Sequence, residues 1–229
     1  MFKTGALVPT TMPVDGKEWQ KQLNLSNFVN SYYQYRDLQL LEGCRRILIV
    51  EPGQGLDTAI LKWRGYEVQT FDIDETFHPD FIGSVHDWSA FADKQFDAVI
   101  ASRVLEHLAE PYLDVALREI SRVCKYALIY LPVHGKHIQL KVYFGSRGFS
   151  FIADLFNYFK KPDGVTARYM AGMHFREIGM RGYHVGDLSS RLLKHFNIIN
   201  SYRNQDWMPS YNFVLKSHCQ SSAMETKND

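Results

Sequence analysis

Acidic side chains follow two apolar runs in this sequence, on either side of a glycine turn. Glu51 comes directly after Ile47–Val50 and precedes Gly53 and Gly55, and Asp72 ends the next apolar run. Glycine lets the backbone approach a ligand where any Cβ atom would collide. A carboxylate before the turn suits a positively charged amino group, and one at the end of the second run suits the hydroxyls of a ribose. These residues predict a site for a nucleotide-like ligand that carries an amino group.

The elements that must position these side chains alternate between strand and helix. A dinucleotide-binding turn would carry a third glycine at position 58, where this sequence has Thr58. The alternation predicts a parallel sheet with helices on both faces, and the short gap between the last two strands predicts antiparallel pairing. We expect strands near residues 47–51, 67–72, 82–85, 96–101, 126–132, 196–203 and 211–217, and helices near residues 25–41, 56–64, 112–123 and 186–195. The predicted fold is α/β, with a Rossmann-like, mostly parallel seven-stranded sheet, an antiparallel last strand and an inserted substrate cover.

The segments around these acids resemble, in order, the motifs of class I S-adenosylmethionine-dependent methyltransferases, and more narrowly the methyltransferase type 11-like enzymes. They are VEPGQG followed by FDID, then DFIGSVHDWS, FDAVIASRVLEHL and ALIYLPV, and they cover residues 44–133. The ordered series is far more specific than the glycine turn alone. The resemblance implies a methyltransferase whose cofactor is S-adenosyl-L-methionine. The cofactor-binding residues that it implies are Glu51, Gly53, Gly55, Asp72, Ile73, Asp87 and Ser102.

Two residues of the turn depart from the pattern of this family. Asp57 stands where a third glycine is common, and Pro52 is a stiff residue where the family has an unrestricted one. We expect Asp57 to cap a helix that begins at Thr58, because a short acidic side chain satisfies free N–H groups at a helix N-terminus. A carboxylate that pointed inward would repel the carboxylate of the cofactor. A non-catalytic protein with a degraded pocket therefore remains an alternative.

Candidate catalytic residues occur after the fourth strand and late in the insertion. His107 is the best local base candidate, because an unperturbed imidazole titrates near neutrality. The segment from His174 to residue 179, followed by RGY, resembles an HxWEIGxRGY pattern of prokaryotic methyltransferases, with Arg176 in place of its Trp. On a helix His174 and Glu177 would share one face, either as a base with its orienting carboxylate or as a structural pin.

No metal site is expected from the sequence. His134 and His137 lie three residues apart, but no nearby acidic residue completes a triad, and no carboxylate cluster suits magnesium. The three cysteines are far apart and none belongs to a CxxC pair, which argues against a zinc site or a disulfide scaffold. This cysteine pattern, with no apolar stretch of ~20 residues, favours a cytoplasmic protein without a membrane span.

We expect one methyltransferase domain over residues 1–229, with an N-terminal arm (1–20), the inserted cover (134–185) and a flexible tail (218–229). The resemblance, together with the available histidines, implies a small-molecule or glycan-type acceptor that is methylated at oxygen. An RNA or protein methyltransferase is the nearest rival, because the insertion interleaves aromatic and basic residues. The net charge of +1 argues against a nucleic-acid partner. The aromatic insertion also offers a surface for a homodimer.

Overall fold

A computed structural model of the chain describes residues 24–145, 147–155, 174–180, 182–206 and 210–218. The predicted arm over residues 1–20 and nearly all of the predicted tail lie outside these residues, as does the middle of the predicted cover, residues 156–173. Among the described helices none is long and apolar enough to cross a membrane.

Seven strands form one sheet in the order β3-β2-β1-β4-β5-β9-β8. They are β1 (Arg46–Val50), β2 (Glu67–Asp72), β3 (Phe81–Ile82), β4 (Phe96–Ser102), β5 (Cys124–Pro132), β8 (Phe196–Arg203) and β9 (Ser210–Ser217). Strands β1 to β5 pair in parallel, whereas β9 runs antiparallel to both β5 and β8. The predicted Rossmann-like sheet and its antiparallel last strand are confirmed.

Helices cover both faces of the sheet and divide the core into two layers. They are α1 (Leu25–Leu38), α2 (Leu56–Trp63), α3 (Glu110–Val123) and α4 (Val185–Leu192). One layer contains the aromatic group of Phe71, Trp88, Phe91 and Phe96, and the other lies between α1, α2 and the strands. The central strands are buried on both faces, which explains why their sequences are continuous apolar runs.

Helix α1 is anchored to the sheet by one buried carboxylate. Asp37, which is fully buried, accepts hydrogen bonds from the hydroxyl groups of Tyr130 at 2.6 Å and Tyr202 at 2.5 Å. Arg36 forms an ion pair with the same carboxylate, at 2.7 Å. Because β5 and β8 supply the two tyrosines, this carboxylate fixes α1 across the antiparallel end of the sheet.

The described part of the insertion contains a hairpin that the sequence analysis did not predict. Strands β6 (Lys136–Phe144) and β7 (Arg147–Leu155) form a separate two-stranded sheet. Lys141 on β6 forms an ion pair with Asp206 of the main body, at 2.9 Å. The alternation of polar and apolar residues in HIQLKVYF, followed by Gly145, is the period of a strand and could have identified β6.

Candidate active site

The turn after β1 has a backbone conformation that glycine adopts without strain. Gly53 and Gly55 have φ angles of +53° and +71°. Pro52 is compatible with this turn, because its carbonyl accepts the Gly55 N–H at 3.0 Å. A Cβ atom on Gly55 would meet no heavy atom within 4 Å beyond its chain neighbours. The turn therefore leaves room for a ligand at the N-terminus of α2.

Glu51 combines a strained backbone with an unfavourable electrostatic environment. Its φ angle is +51°, which is rare for a residue with a Cβ atom and is concentrated at functional sites. Burial, followed by the negative charges of Asp72 and Glu106, raises the pKa of Glu51 to about 8. A cation bound beside these carboxylates would lower that pKa and offset their repulsion. The pocket is therefore suited to a positively charged ligand.

Asp72 is the last residue of β2, as predicted, and its side chain is buried. Its carboxylate accepts the N–H of Asp74 at 2.9 Å, and burial raises its pKa. Ile73 follows with 42% of its surface exposed. The end of β2 thus presents an acidic group and an apolar side chain next to the turn after β1.

Helix α1 contacts two parts of the predicted cofactor site. The Nδ2 atom of Asn30 lies 3.0 Å from Oγ of Ser102, the last residue of β4. Asn27 forms a hydrogen bond to Gln54, which lies between the two turn glycines. Neither Asn27 nor Asn30 is among the site residues predicted from the sequence. Two amides three residues apart on a helix share one face, and this spacing is the signal that could have found them.

Asp57 and Asp87 both bind nearby backbone N–H groups. Asp57 accepts the N–H of Thr58 at 2.7 Å, and burial raises its pKa to about 6. The prediction that Asp57 caps the helix is wrong, since α2 begins earlier, at Leu56 after Gly55.

Asp87 is exposed after β3 and accepts the N–H of Ser89 at 3.1 Å, which lowers its pKa. Its contact with an adenine stays a prediction.

The chain leaves β4 through a second strained residue, Arg103, with a φ angle of +65°. The one-turn helix that follows, Leu105–His107, carries Glu106, whose side chain is fully buried. Arg103 Nε lies 3.2 Å from Glu106 Oε1. Burial raises the pKa of Glu106, although the charges of Arg103 and His174 act in the opposite direction. The exit of β4 therefore holds a buried carboxylate that also interacts with Glu51.

Where the insertion returns to the sheet, His174 is paired with Glu177. Nδ1 of His174 lies 2.5 Å from Glu177 Oε1, and Nδ1 of His134 lies 2.9 Å from Oε2. Burial alone would raise the pKa of Glu177, but these two histidines lower it. No helix holds the pair, contrary to the assumption made from its spacing, because the segment forms turns and bridges at the end of β5.

His107 and His174 come together although 66 residues separate them in the chain. Their ring centroids are 4.8 Å apart, and the rings meet edge to face. Glu106, His107 and His174 each offer one metal-ligand atom, and these atoms lie within 4.8 Å of one another. The acid that the sequence analysis sought near His134 is Glu177, far along the chain. The reason given from sequence against a histidine-based metal site, the lack of a nearby acidic residue, therefore does not hold in the folded chain.

Residues 48–127 match a sequence family described as a methyltransferase domain. The match covers β1 to β5 and includes the turn after β1 and the exit of β4. Over this stretch, which is less than half of the chain, the sequence is similar to a methyltransferase domain. A comparison with curated proteins finds no significant match.

Solved structures with the same fold include several methyltransferases. The PH0226 protein of Pyrococcus horikoshii OT3 has a TM-score of 0.55 and 15% identity, over 87% of this chain and 93% of that one. A SAM-dependent methyltransferase of Archaeoglobus fulgidus has a TM-score of 0.53 and 16% identity, over 88% and 97%. The 1,6-didemethyltoxoflavin-N1-methyltransferase of Burkholderia thailandensis has a TM-score of 0.50 and 16% identity, over 85% and 87%, and its structure contains S-adenosylhomocysteine. At these identities the likeness concerns the fold.

The predicted enzyme class, a SAM-dependent methyltransferase, and the predicted cofactor, S-adenosyl-L-methionine, are confirmed by the matched domain together with this fold. The identity of each cofactor-binding and catalytic residue remains a prediction. The similarity of the segment after His174 to the HxWEIGxRGY pattern also remains a prediction.

Proposed function

We propose that this methyltransferase moves the methyl group of S-adenosyl-L-methionine to an oxygen atom of a small-molecule or glycan-type acceptor. The observation that carries the proposal is the His174–Glu177 pair, 2.5 Å apart, at the end of the sheet where β4 and β5 leave it. A hydroxyl is protonated at neutral pH. Methylation at oxygen therefore requires a group that accepts the hydroxyl proton or promotes its loss. An imidazole held by a carboxylate is such a group.

The acidic residues at the ends of β1 and β2 are assigned to the cofactor. Glu51 binds the amino group of the methionine portion, and Gly53 and Gly55 let the backbone pass beneath it. Asp72 binds the ribose hydroxyls. The support is electrostatic, since burial raises the pKa of Glu51 and that of Asp72, and the negative charges of neighbouring carboxylates add to both shifts. Ile73 and Asp87 are assigned to the adenosine side of the same site, and Ser102 to the side of the donor methyl group.

The histidine pair is assigned to the acceptor. A methyl group on a sulfonium is already activated, so the enzyme mainly aligns the acceptor oxygen with the S–CH3 bond and excludes water. Glu177 engages Nδ1 of His174, which leaves Nε2 as the nitrogen that can meet an acceptor. His107 lies edge-on to this ring and is the second candidate for proton transfer.

Calorimetric titration with S-adenosylhomocysteine tests the cofactor assignment. Replacing Asp72→Asn removes the charge that would accept the ribose hydroxyls, and we expect binding to weaken by about 10- to 100-fold, the range of a charged hydrogen bond. Asp74→Asn is the matched control, because Asp74 caps the short helix Glu75–Phe77 and asparagine caps equally well. Equal affinities for the two variants would exclude Asp72 from the site.

The acceptor assignment is tested with S-adenosylmethionine that carries a labelled methyl group. Sugars and lipid-linked glycans are compared with RNA and with protein substrates, and the labelled product is analysed for the atom that received the methyl group. Label in RNA or protein would favour the rival acceptor class. Absence of S-adenosylhomocysteine binding by the wild-type protein would instead favour a non-catalytic protein.

A further inference from the structure

Three potential metal ligands from two distant parts of the chain converge at the exit of β4. Glu106, His107 and His174 bring one ligand atom each to within 4.8 Å of the others. A zinc ion bound by histidine and carboxylate lies about 2.0–2.2 Å from each ligand, which places the ligand atoms about 3–4 Å apart. To bind a cation, the three ligand atoms would therefore have to move about 1 Å closer to one another. Two imidazoles and one carboxylate form a set that leaves coordination positions open.

The surroundings of His174 are those of a metal ligand. Its Nδ1 atom pairs with Glu177, whose second oxygen is held by His134. Histidines that bind metals almost always use one ring nitrogen for the metal and donate the other to a carboxylate or carbonyl group, which fixes the tautomer and the ring orientation. Nε2 of His174 is thereby the nitrogen that can bind a cation.

Glu106 supplies an independent observation that points to a cation. Its side chain is fully buried, and neither carboxylate oxygen receives a hydrogen bond from another residue in the described part of the chain. The ion pair with Arg103, at 3.2 Å, involves Oε1, so Oε2 remains for a cation. A buried carboxylate is costly unless it is paired or binds a metal. Glu177 and Glu51 add further negative charge around it.

We propose that Glu106, His107 and His174 bind one divalent transition-metal cation, such as Zn²⁺ or Mn²⁺. Its role rests on the proposed function: the open coordination positions take the acceptor oxygen, and the O–CH3 bond forms as the S–CH3 bond of the donor breaks. The cation, rather than a free imidazole of His174, then promotes loss of the hydroxyl proton, which passes to water. A hydroxyl bound to a divalent cation loses its proton more easily than a free one. Glu177 is then a positioning residue that acts through His174. Imidazole ligands favour transition metals over Mg²⁺, which prefers oxygen.

Cobalt(II) is a suitable probe, because its visible absorption reports coordination by protein ligands. The full-length protein is freed of metal with a chelator and titrated with Co²⁺, and Zn²⁺ is titrated by calorimetry. We expect one equivalent to bind, and His107→Ala and His174→Gln to weaken binding by more than about 100-fold. Loss of the orienting carboxylate in Glu177→Gln should weaken it by about 10- to 100-fold. His137→Ala is the matched control, since His137 lies on β6 outside the cluster.

Binding of Co²⁺ and Zn²⁺ that is unchanged in both histidine variants would overturn the proposal. So would binding of Mg²⁺ alone. Each variant is titrated in parallel with S-adenosylhomocysteine, which shows that it is folded. In the wild type, S-adenosylhomocysteine binding without metal binding overturns this inference only, whereas metal binding without S-adenosylhomocysteine binding overturns the proposed function only.

Discussion

At the scale of single residues, the site is marked by buried or half-buried carboxylates whose pKa values are raised. Burial raises the pKa values of Glu51, Asp72 and Glu106, and these groups lie at the ends of β1 and β2 and after β4. Two of these strand ends also carry residues with positive φ angles, Glu51 and Arg103. Strain and uncompensated charge both lower stability, and they persist at sites where a ligand relieves them.

Replacing Glu51→Gln should stabilise the ligand-free protein at alkaline pH. The pKa of Glu51 is about 8 in the folded chain, above its usual value of 4.5. Between these values the folded chain retains a proton that the unfolded chain releases, so the free energy of unfolding decreases as the pH rises and becomes constant above about 8. The variant lacks this decrease. Melting temperatures at pH 5, 7 and 8.5 should show an advantage of the variant that grows with pH.

The same variant should bind S-adenosylhomocysteine more weakly, because it lacks the charge for the amino group of the cofactor. Glu42→Gln, at an exposed position before β1, provides the control and should change neither property. A difference in melting temperature between Glu51→Gln and wild type that is independent of pH would contradict the raised pKa.

At the scale of elements, the anchoring of α1 decides whether the cofactor site is complete. The helix carries Asn30, which contacts Ser102, and Asp37, which binds Tyr130 and Tyr202. We expect Asp37→Ala to lower the free energy of unfolding by about 3–5 kcal/mol, since it leaves buried partners without their charge. Chemical denaturation measures this. Binding of S-adenosylhomocysteine should weaken as well, because α1 loses its position.

An exposed ion pair provides the comparison for this prediction. Asp93 is 64% exposed and pairs with Arg122. Asp93→Ala should cost less than about 1 kcal/mol, because a surface ion pair is compensated by water. If both alanine variants had the same stability, the carboxylate of Asp37 would not anchor α1.

The outer face of the β6–β7 hairpin should contribute little to stability. Leu140 and Phe151 are paired across the two strands on this face and are 56% and 54% exposed. Replacing Leu140→Gln and Phe151→Gln together should change the free energy of unfolding by less than about 0.5 kcal/mol per site. In contrast, Leu128→Ala, at a fully buried position of β5, should cost about 2–5 kcal/mol. Denaturant titration compares them, and a large loss in the hairpin variant would mean that another surface covers this face.

At the scale of the whole molecule, the alternation of apolar runs was enough to predict the sheet, and the resemblance of the ordered segments to methyltransferase motifs predicted the enzyme class. Six of the seven strands of the main sheet lie within two residues of their predicted ranges, and the central ones are continuous apolar runs, whereas β3 ends at Ile82, where the predicted strand 82–85 begins. The pairing of His107 with His174 could not be predicted, since it depends on how a long insertion returns to the sheet. Local periodicity contains no information about that return. For the same reason Glu177 could not be recognised as the acidic partner of His134, because the two residues are close only in the folded chain.

A ligand that binds only the folded chain stabilises the whole molecule, and this gives the broadest test of the cofactor site. S-adenosylhomocysteine at 100 times its Kd should add about 2.7 kcal/mol to the free energy of unfolding. For a chain of 229 residues this corresponds to a rise in melting temperature of about 5–10 °C. NAD is the control, because Thr58 and Glu51 do not suit a pyrophosphate. A rise with NAD that equals the rise with S-adenosylhomocysteine would mean that the turn after β1 accepts a dinucleotide, and the assignment of Glu51 to a cofactor amino group would then be wrong.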